Sequence, residues 1–206
     1  MKKEKFDGTV ILAIIDRSGS MSTIKNDAIG GFNTFLNDQK NIEGKCMMSI
    51  ALFDTEYDLI AHGEDIKNIE ELNDKTFVPR GSTALYDAIG KGVHQVESMQ
   101  IEADRYLCVI LTDGEENASR EFTRENIFKL IEEKRKGDWE FIFLAANQDA
   151  MQAGQSMGMS TSNSMCFAAT ADGTNNAYAT ISKGTSNYRG MSKEKLYKSK
   201  SSLLND

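Results

Sequence analysis

The 206-residue chain is short of cysteine, histidine, long apolar runs and positive charge, and each shortage removes a class of function. Cys46, Cys108 and Cys166 are odd in number, widely spaced and set within apolar stretches, which argues against a disulfide framework or a zinc cluster. Buried free thiols in a reducing compartment are the expectation. His62 and His94 lie far apart with no Ser or Cys signature beside them, so each reads as a surface or helix residue and not as a catalytic base. The longest apolar run, Val10 to Ile15, is far too short for a membrane span, and no small-residue cleavage site follows it, although Lys2, Lys3 and Lys5 precede it. It reads as a strand. No Gly-x-x-x-x-Gly-Lys-Ser/Thr pattern occurs, which removes P-loop chemistry. With 24 Lys and Arg against 31 Asp and Glu, the net charge of −7 argues against general nucleic-acid binding.

What is present suits a soluble globular chain, with 40% hydrophobic and 27% charged residues. The charge is uneven: residues 187–206 carry net +3 and residues 1–186 net −10. The expected organisation is therefore one domain of α/β size over 1–186 and a basic, flexible C-terminal tail over 187–206. After the opening strand, Met21, Ile24, Ala28, Phe32, Phe35 and Leu36 recur at intervals of three and four, giving a helix of about four turns with one apolar face. Met47 to Phe53 and Tyr57 to Ala61, joined at Asp54-Thr55-Glu56, suit a hairpin and hence one antiparallel edge strand. A second amphipathic helix carries Leu85, Ile89, Val93 and Val96, and Thr83 stands at its start. Tyr106 to Thr112 and Trp139 to Ala146 read as further buried strands, with a helix marked by Ile127, Leu130 and Ile131 between them. A short helix from Asp149, a last strand at Met165 to Ala168 and a helix around Ala177, Tyr178 and Ile181 complete the expectation. Alternating strands and helices predict a doubly wound α/β fold, mainly parallel, with helices on both faces.

In such a sheet, ligands gather beyond the carboxyl ends of the strands where the strand order reverses. Three segments end there: Asp16-Arg17-Ser18-Gly19-Ser20, Gly81-Ser82-Thr83 and Thr112-Asp113-Gly114. Together they offer two carboxylates and three hydroxyls from Asp16, Ser18, Ser20, Thr83 and Asp113, all hard oxygen donors suited to Mg²⁺, with Mn²⁺ or Ca²⁺ as alternatives. Asp-x-Ser-x-Ser, a downstream Gly-Ser-Thr and a later Thr-Asp-Gly resemble the metal-ion-dependent adhesion site of von Willebrand factor A domains, over roughly residues 8 to 170. The resemblance implies that Ser18, Ser20 and Thr83 hold the ion through hydroxyls, with Asp16 and Asp113 beside it directly or through water. It also implies a non-catalytic module in which a partner protein's Asp or Glu fills an open position on the ion. The stretch Ala146-Asn147-Gln148-Asp149-Ala150 and the later Asn187-Tyr188-Arg189 resemble stand-alone bacterial and bacteriophage versions of the domain, which implies a cytoplasmic setting and a regulatory or phage–host role.

Other readings stand beside these. Asp16 and Ser18 are also residues that cap helices. Glu115, Glu116 and Asn117 read either as a rim of the site or as a solvated face. Arg17 reads either as an outward contact for an acidic partner or as a surface arginine without duty. The methionines read as core filling, and Lys193, Lys195, Lys198 and Lys200 as a solvated terminus. The competing function is a metal-dependent phosphoryl-transfer enzyme with Asp16 as nucleophile. Such an enzyme needs an acid two residues after its nucleophile, and that position holds Ser18.

Overall fold

The computed structural model describes residues 3–192 and 203–204. Six strands form one sheet: β1 (Glu4–Asp16), β2 (Lys45–Phe53), β3 (Tyr57–Asp65), β4 (Ile101–Thr112), β5 (Trp139–Ala145) and β6 (Ser164–Cys166). Their spatial order is β3-β2-β1-β4-β5-β6. Every neighbouring pair is parallel except β2 with β3, the expected hairpin at the edge. The helices are α1 (Lys25–Lys40), α2 (Leu85–Ser98), α3 (Arg124–Arg135), α4 (Gln148–Ser156) and α5 (Ala171–Gly190).

β1 shows why the sequence reads as an unbroken apolar run. Val10, Leu12 and Ile14 pack on one face of the sheet with Leu85, Ile89 and Val93 of α2 and Ile127 and Ile131 of α3. Ile11, Ala13 and Ile15 pack on the other with Phe32, Phe35 and Leu36 of α1 and Ala177, Tyr178 and Ile181 of α5. A strand covered on both faces needs apolar residues at consecutive positions, not alternating ones.

From β1 the chain crosses to β2 on one side, and from β4 it crosses to β5 on the other. The strand order therefore reverses between β1 and β4, and a crevice opens beyond their carboxyl ends, at Asp16 and Thr112.

The structure departs from the sequence reading in several places. The first helical segment opens as a 3₁₀ turn, Gly19–Ile24, before α1 begins. A repeat of three residues per turn puts Met21 and Ile24 on one side, and both are buried. The last strand is shorter and earlier than Met165 to Ala168. Helix α5 continues through Gly190, so the domain boundary expected at 187 falls inside it, with Tyr188 and Arg189 buried. Lys193, Lys195, Lys198 and Lys200 of the expected basic tail lie outside the described residues, whereas Leu203 is described and buried against the core. Cys46 and Cys108 are buried thiols, whereas Cys166 is exposed on the edge strand β6. Met157 and Met159 fill core, as expected. Among the described residues no helix is long and apolar enough to cross a membrane.

Candidate metal centre

The three segments converge at the crevice between β1 and β4. Asp16, the last residue of β1, is fully buried. One of its carboxylate oxygens accepts the Ser18 amide at 2.7 Å, and the other accepts the Thr112 hydroxyl of β4 at 2.6 Å. The Ser18 and Ser20 hydroxyls lie 3.1 Å apart, and Ser20 Oγ donates to Asp113 Oδ1 at 2.7 Å. Thr83 joins from the third segment: a Cβ placed on Gly114 would stand 3.0 Å from Thr83 Oγ1 and 3.9 Å from Ser20 Oγ. All five expected residues thus meet at one place, and Gly114 leaves the space between two of the hydroxyls free of a side chain.

Capping does not account for the arrangement. Ser18 occupies the N-cap position of the 3₁₀ turn, but its side chain makes no capping hydrogen bond. Thr83 precedes α2 by two residues, one outside the cap position held by Ala84.

Electrostatics mark the site more strongly than shape does. Burial pushes the Asp16 carboxyl up from 3.8 to about 6, against the opposing hydrogen bonds from Thr112 and Ser18. Burial also raises Asp113, partly countered by its bond from Ser20. Among the described residues neither carboxylate forms an ion pair with Lys, Arg or His. One buried acid, one half-buried acid, three small hydroxyls and no protein cation make a donor set that fits a hard divalent ion. Among the described residues no group of three or more His, Cys, Asp or Glu side chains could hold a metal ion by itself, and the donor set here relies on three hydroxyls beside two carboxylates.

Several residues that hold the site carry no sequence signal for that role. Thr112 orients Asp16, although its only sequence signal is its place beside Asp113. Asn147 donates from its side-chain amide to the Asp113 carbonyl while its own oxygen caps α4 on Ala150 N at 2.7 Å. Asn117 Oδ1 accepts the Thr83 amide at 2.9 Å, and the Asn117 and Ala118 amides both donate to the Thr83 carbonyl. Glu116 accepts the amides of Tyr86, Ala118 and Ser119, and Asp87 accepts those of Arg120, Glu121 and Phe122. These carboxylates fasten the segment after Asp113 to the start of α2, so Glu116 is a half-buried anchor, while Asn117 is exposed and ties its side chain to the Thr83 amide. Arg17 is buried and paired with Asp54 and Asp58, which corrects both expectations of a surface side chain. A guanidinium in that position is held by carboxylates of the β2–β3 hairpin, which the linear sequence does not place beside it. His62 and His94 are exposed and stand apart from the site.

No known family profile matches the chain, and no curated protein matches it. Solved structures do. A mutant of the PilB minor pilin from Streptococcus sanguinis superposes with a TM-score of 0.65 at 13% identity, over 89% of this chain and 62% of that one. Proximal thread matrix protein 1 from mussel byssus, with a zinc-occupied metal-ion-dependent adhesion site, gives 0.65 at 14% identity over 87% and 46%. A von Willebrand factor type A protein from Catenulispora acidiphila gives 0.59 at 11% identity over 85% and 42%. The chain therefore spans less than two thirds of each of these structures. At such identities the likeness is one of fold, and the fold is that of a von Willebrand factor A domain.

Proposed function

We propose that the chain is a divalent-metal-dependent protein-binding module. In this reading Asp16, Ser18, Ser20, Thr83 and Asp113 hold Mg²⁺, and an acidic residue of a partner protein completes the shell. The observation that carries the reading is the meeting of a buried and a half-buried carboxylate, neither in an ion pair among the described residues, with three hydroxyls at the reversal point of the sheet. When bound, the ion supplies a hard Lewis-acidic centre, held largely by neutral oxygens, with affinity for a further anionic oxygen. The zinc-occupied site named for the mussel protein supports a divalent ion at this place in the fold.

The chain's own residues prepare the site. Thr112 and the Ser18 amide fix the Asp16 carboxylate, Ser20 orients Asp113, and Asn117 fixes the backbone of Thr83. Binding is favoured over phosphoryl transfer from Asp16 because both of its oxygens are hydrogen-bonded and its side chain has no exposed surface. Ser18, where that chemistry needs an acid, points the same way. The buried Cys46 and Cys108 thiols suit a reducing cytoplasm, and a bacterial or phage-encoded regulatory role extends the resemblance read in the sequence.

Two measurements test the proposal. Calorimetry should detect one Mg²⁺ site in the wild type and none in Asp16→Ala. Proteins captured from bacterial lysate on the immobilised chain in Mg²⁺ should be released by EDTA. Wild type that binds no Mg²⁺, or captured partners indifferent to both EDTA and Asp16→Ala, would overturn it.

A further inference from the structure

The two loops that carry the three hydroxyls are joined through a residue outside both. Asp54 sits at the turn between β2 and β3 with 2% of its surface exposed. Its Oδ2 accepts Arg17 Nε at 2.8 Å from the first loop and Arg80 Nε at 3.0 Å from the loop leading to Thr83. Its Oδ1 accepts the Glu56 amide at 2.8 Å, and its backbone carbonyl accepts the Ala84 amide at 3.0 Å, one residue past Thr83. A single buried carboxylate therefore bridges the neighbours of Ser18 on one side and of Thr83 on the other.

The backbone follows the same path. The Arg17 amide donates to the Phe53 carbonyl at 2.7 Å, the Arg80 amide to the Arg17 carbonyl at 2.8 Å, and the Gly19 amide to the Gly81 carbonyl at 3.2 Å. Gly81 adopts φ +65°, and a Cβ there would meet Thr55 Oγ1 at 2.8 Å, so this loop lies flat against the hairpin turn. The Ser82 amide donates to that same Thr55 hydroxyl at 3.0 Å. Burial raises the Asp54 carboxyl, but the Glu56 amide and the two guanidiniums outweigh it and bring the carboxyl below the usual range. It is an ionised clamp.

We propose that Asp54 is a positioning residue for the metal centre, setting the separation of Ser18 and Ser20 from Thr83 by gripping Arg17 and Arg80 with one carboxylate. This role rests on the metal-binding reading above. It also gives Arg17 a duty: its guanidinium ties the loop backward to the hairpin, away from the carboxylate of Asp16. Asp58 and Glu56 extend the network outward through Arg17 and Arg80, and both are substantially exposed, so screening by water leaves Asp54 as the dominant anchor.

The test is Mg²⁺ calorimetry on the full chain, with folding and thermal midpoint followed by circular dichroism in EDTA. Asp54→Asn keeps the shape but removes the charge, and residues that orient metal ligands typically contribute about 10–100-fold in affinity. Asp54→Asn should weaken Mg²⁺ by that order, and Asp58→Asn by less than about threefold. Ile131→Val, on the buried face of α3, serves as a variant that lowers the thermal midpoint without touching the loops; its Mg²⁺ affinity should match wild type. A folded Asp54→Asn with wild-type affinity would overturn the proposal. Should Asp54→Asn not fold, Arg80→Gln, at a half-exposed position, decides: several-fold weaker Mg²⁺ binding supports the clamp, and unchanged binding overturns it. Wild type that binds no Mg²⁺, or Asp16→Ala that binds as wild type does, overturns the metal-binding reading and this role with it. Loss confined to Asp54→Asn and Arg80→Gln, with Asp16→Ala intact, would place the ion elsewhere.

Discussion

Asp16 must be ionised to hold a cation, yet the fold buries it completely and lifts its carboxyl from 3.8 to about 6. A carboxylate raised in this way favours the folded state most below pH 4, where it is protonated in both states, and that contribution is lost as pH rises through about 6. The full loss is about 3 kcal/mol, since each tenfold change in proton affinity is worth about 1.4 kcal/mol. Asparagine can keep both bonds, its oxygen accepting from the Ser18 amide and its NH₂ donating to the Thr112 hydroxyl, which both donates and accepts. Asp16→Asn should therefore be more stable than wild type in EDTA. The gap should open between about pH 4 and 6 and stay constant above, while Mg²⁺ stabilises only the wild type. Urea melts across that pH range, with and without Mg²⁺, measure it; a gap independent of pH would refute the argument. At this scale the five candidate donors were legible as a motif because residue chemistry and spacing are written in the sequence, and the fold brings them to one crevice. The sequence did not disclose Thr112, Asn147 or Asp54 as their supports, since those bonds join residues 34 to 96 positions apart and depend on strand order.

Among the elements, the long buried strands and the amphipathic helices α1 and α2 were legible, because two-sided burial and a single apolar face each leave a period in the sequence. The extent of α5 was not. Its residues are small and polar, and its end is fixed from outside: Arg105, at a buried position on β4, donates to the carbonyls of Tyr188, Arg189 and Met191. Arg189 in turn donates to the Gln39 carbonyl at the end of α1. Both guanidiniums thus sit at helix carboxyl ends, where free carbonyls and the helix dipole favour a cation. Arg105 also lies over the Tyr188 ring, 5.7 Å from its centroid. Arg105→Ala should cost about 2–4 kcal/mol, because it removes three charge-assisted hydrogen bonds to carbonyls at the end of α5 and a cation from an aromatic face. Urea denaturation gives that value, and amide exchange should quicken first in the last turn of α5. An unchanged midpoint would show that the helix end is held by something else.

Across the whole molecule, packing stability and the proposed ion binding draw on different regions. The site occupies the carboxyl ends of β1 and β4, while α1 and α5 close over one face of the sheet at a contact so tight that only glycine fits. A Cβ on Gly31 would fall 2.1 Å from the Tyr178 ring, and that ring is buried on the other helix. No donor segment passes through this contact: Asp16, Ser18, Ser20, Thr83 and Asp113 all belong to strand ends and loops outside α1 and α5. Gly31→Ala must therefore push the helices apart or turn Tyr178, and overpacking of this kind costs about 1–3 kcal/mol. Alanine's higher helix propensity returns at most about 1 kcal/mol of that, so the net effect is a loss. Its Mg²⁺ affinity by calorimetry should equal that of wild type at a temperature where both are folded. Mg²⁺ should also raise the melting temperature of both proteins by a similar amount, since the ion's contribution depends only on its concentration relative to its dissociation constant. A weakened affinity in Gly31→Ala would mean that the packing of α5 on α1 reaches the loops of the site, and that the site and the core are one cooperative unit.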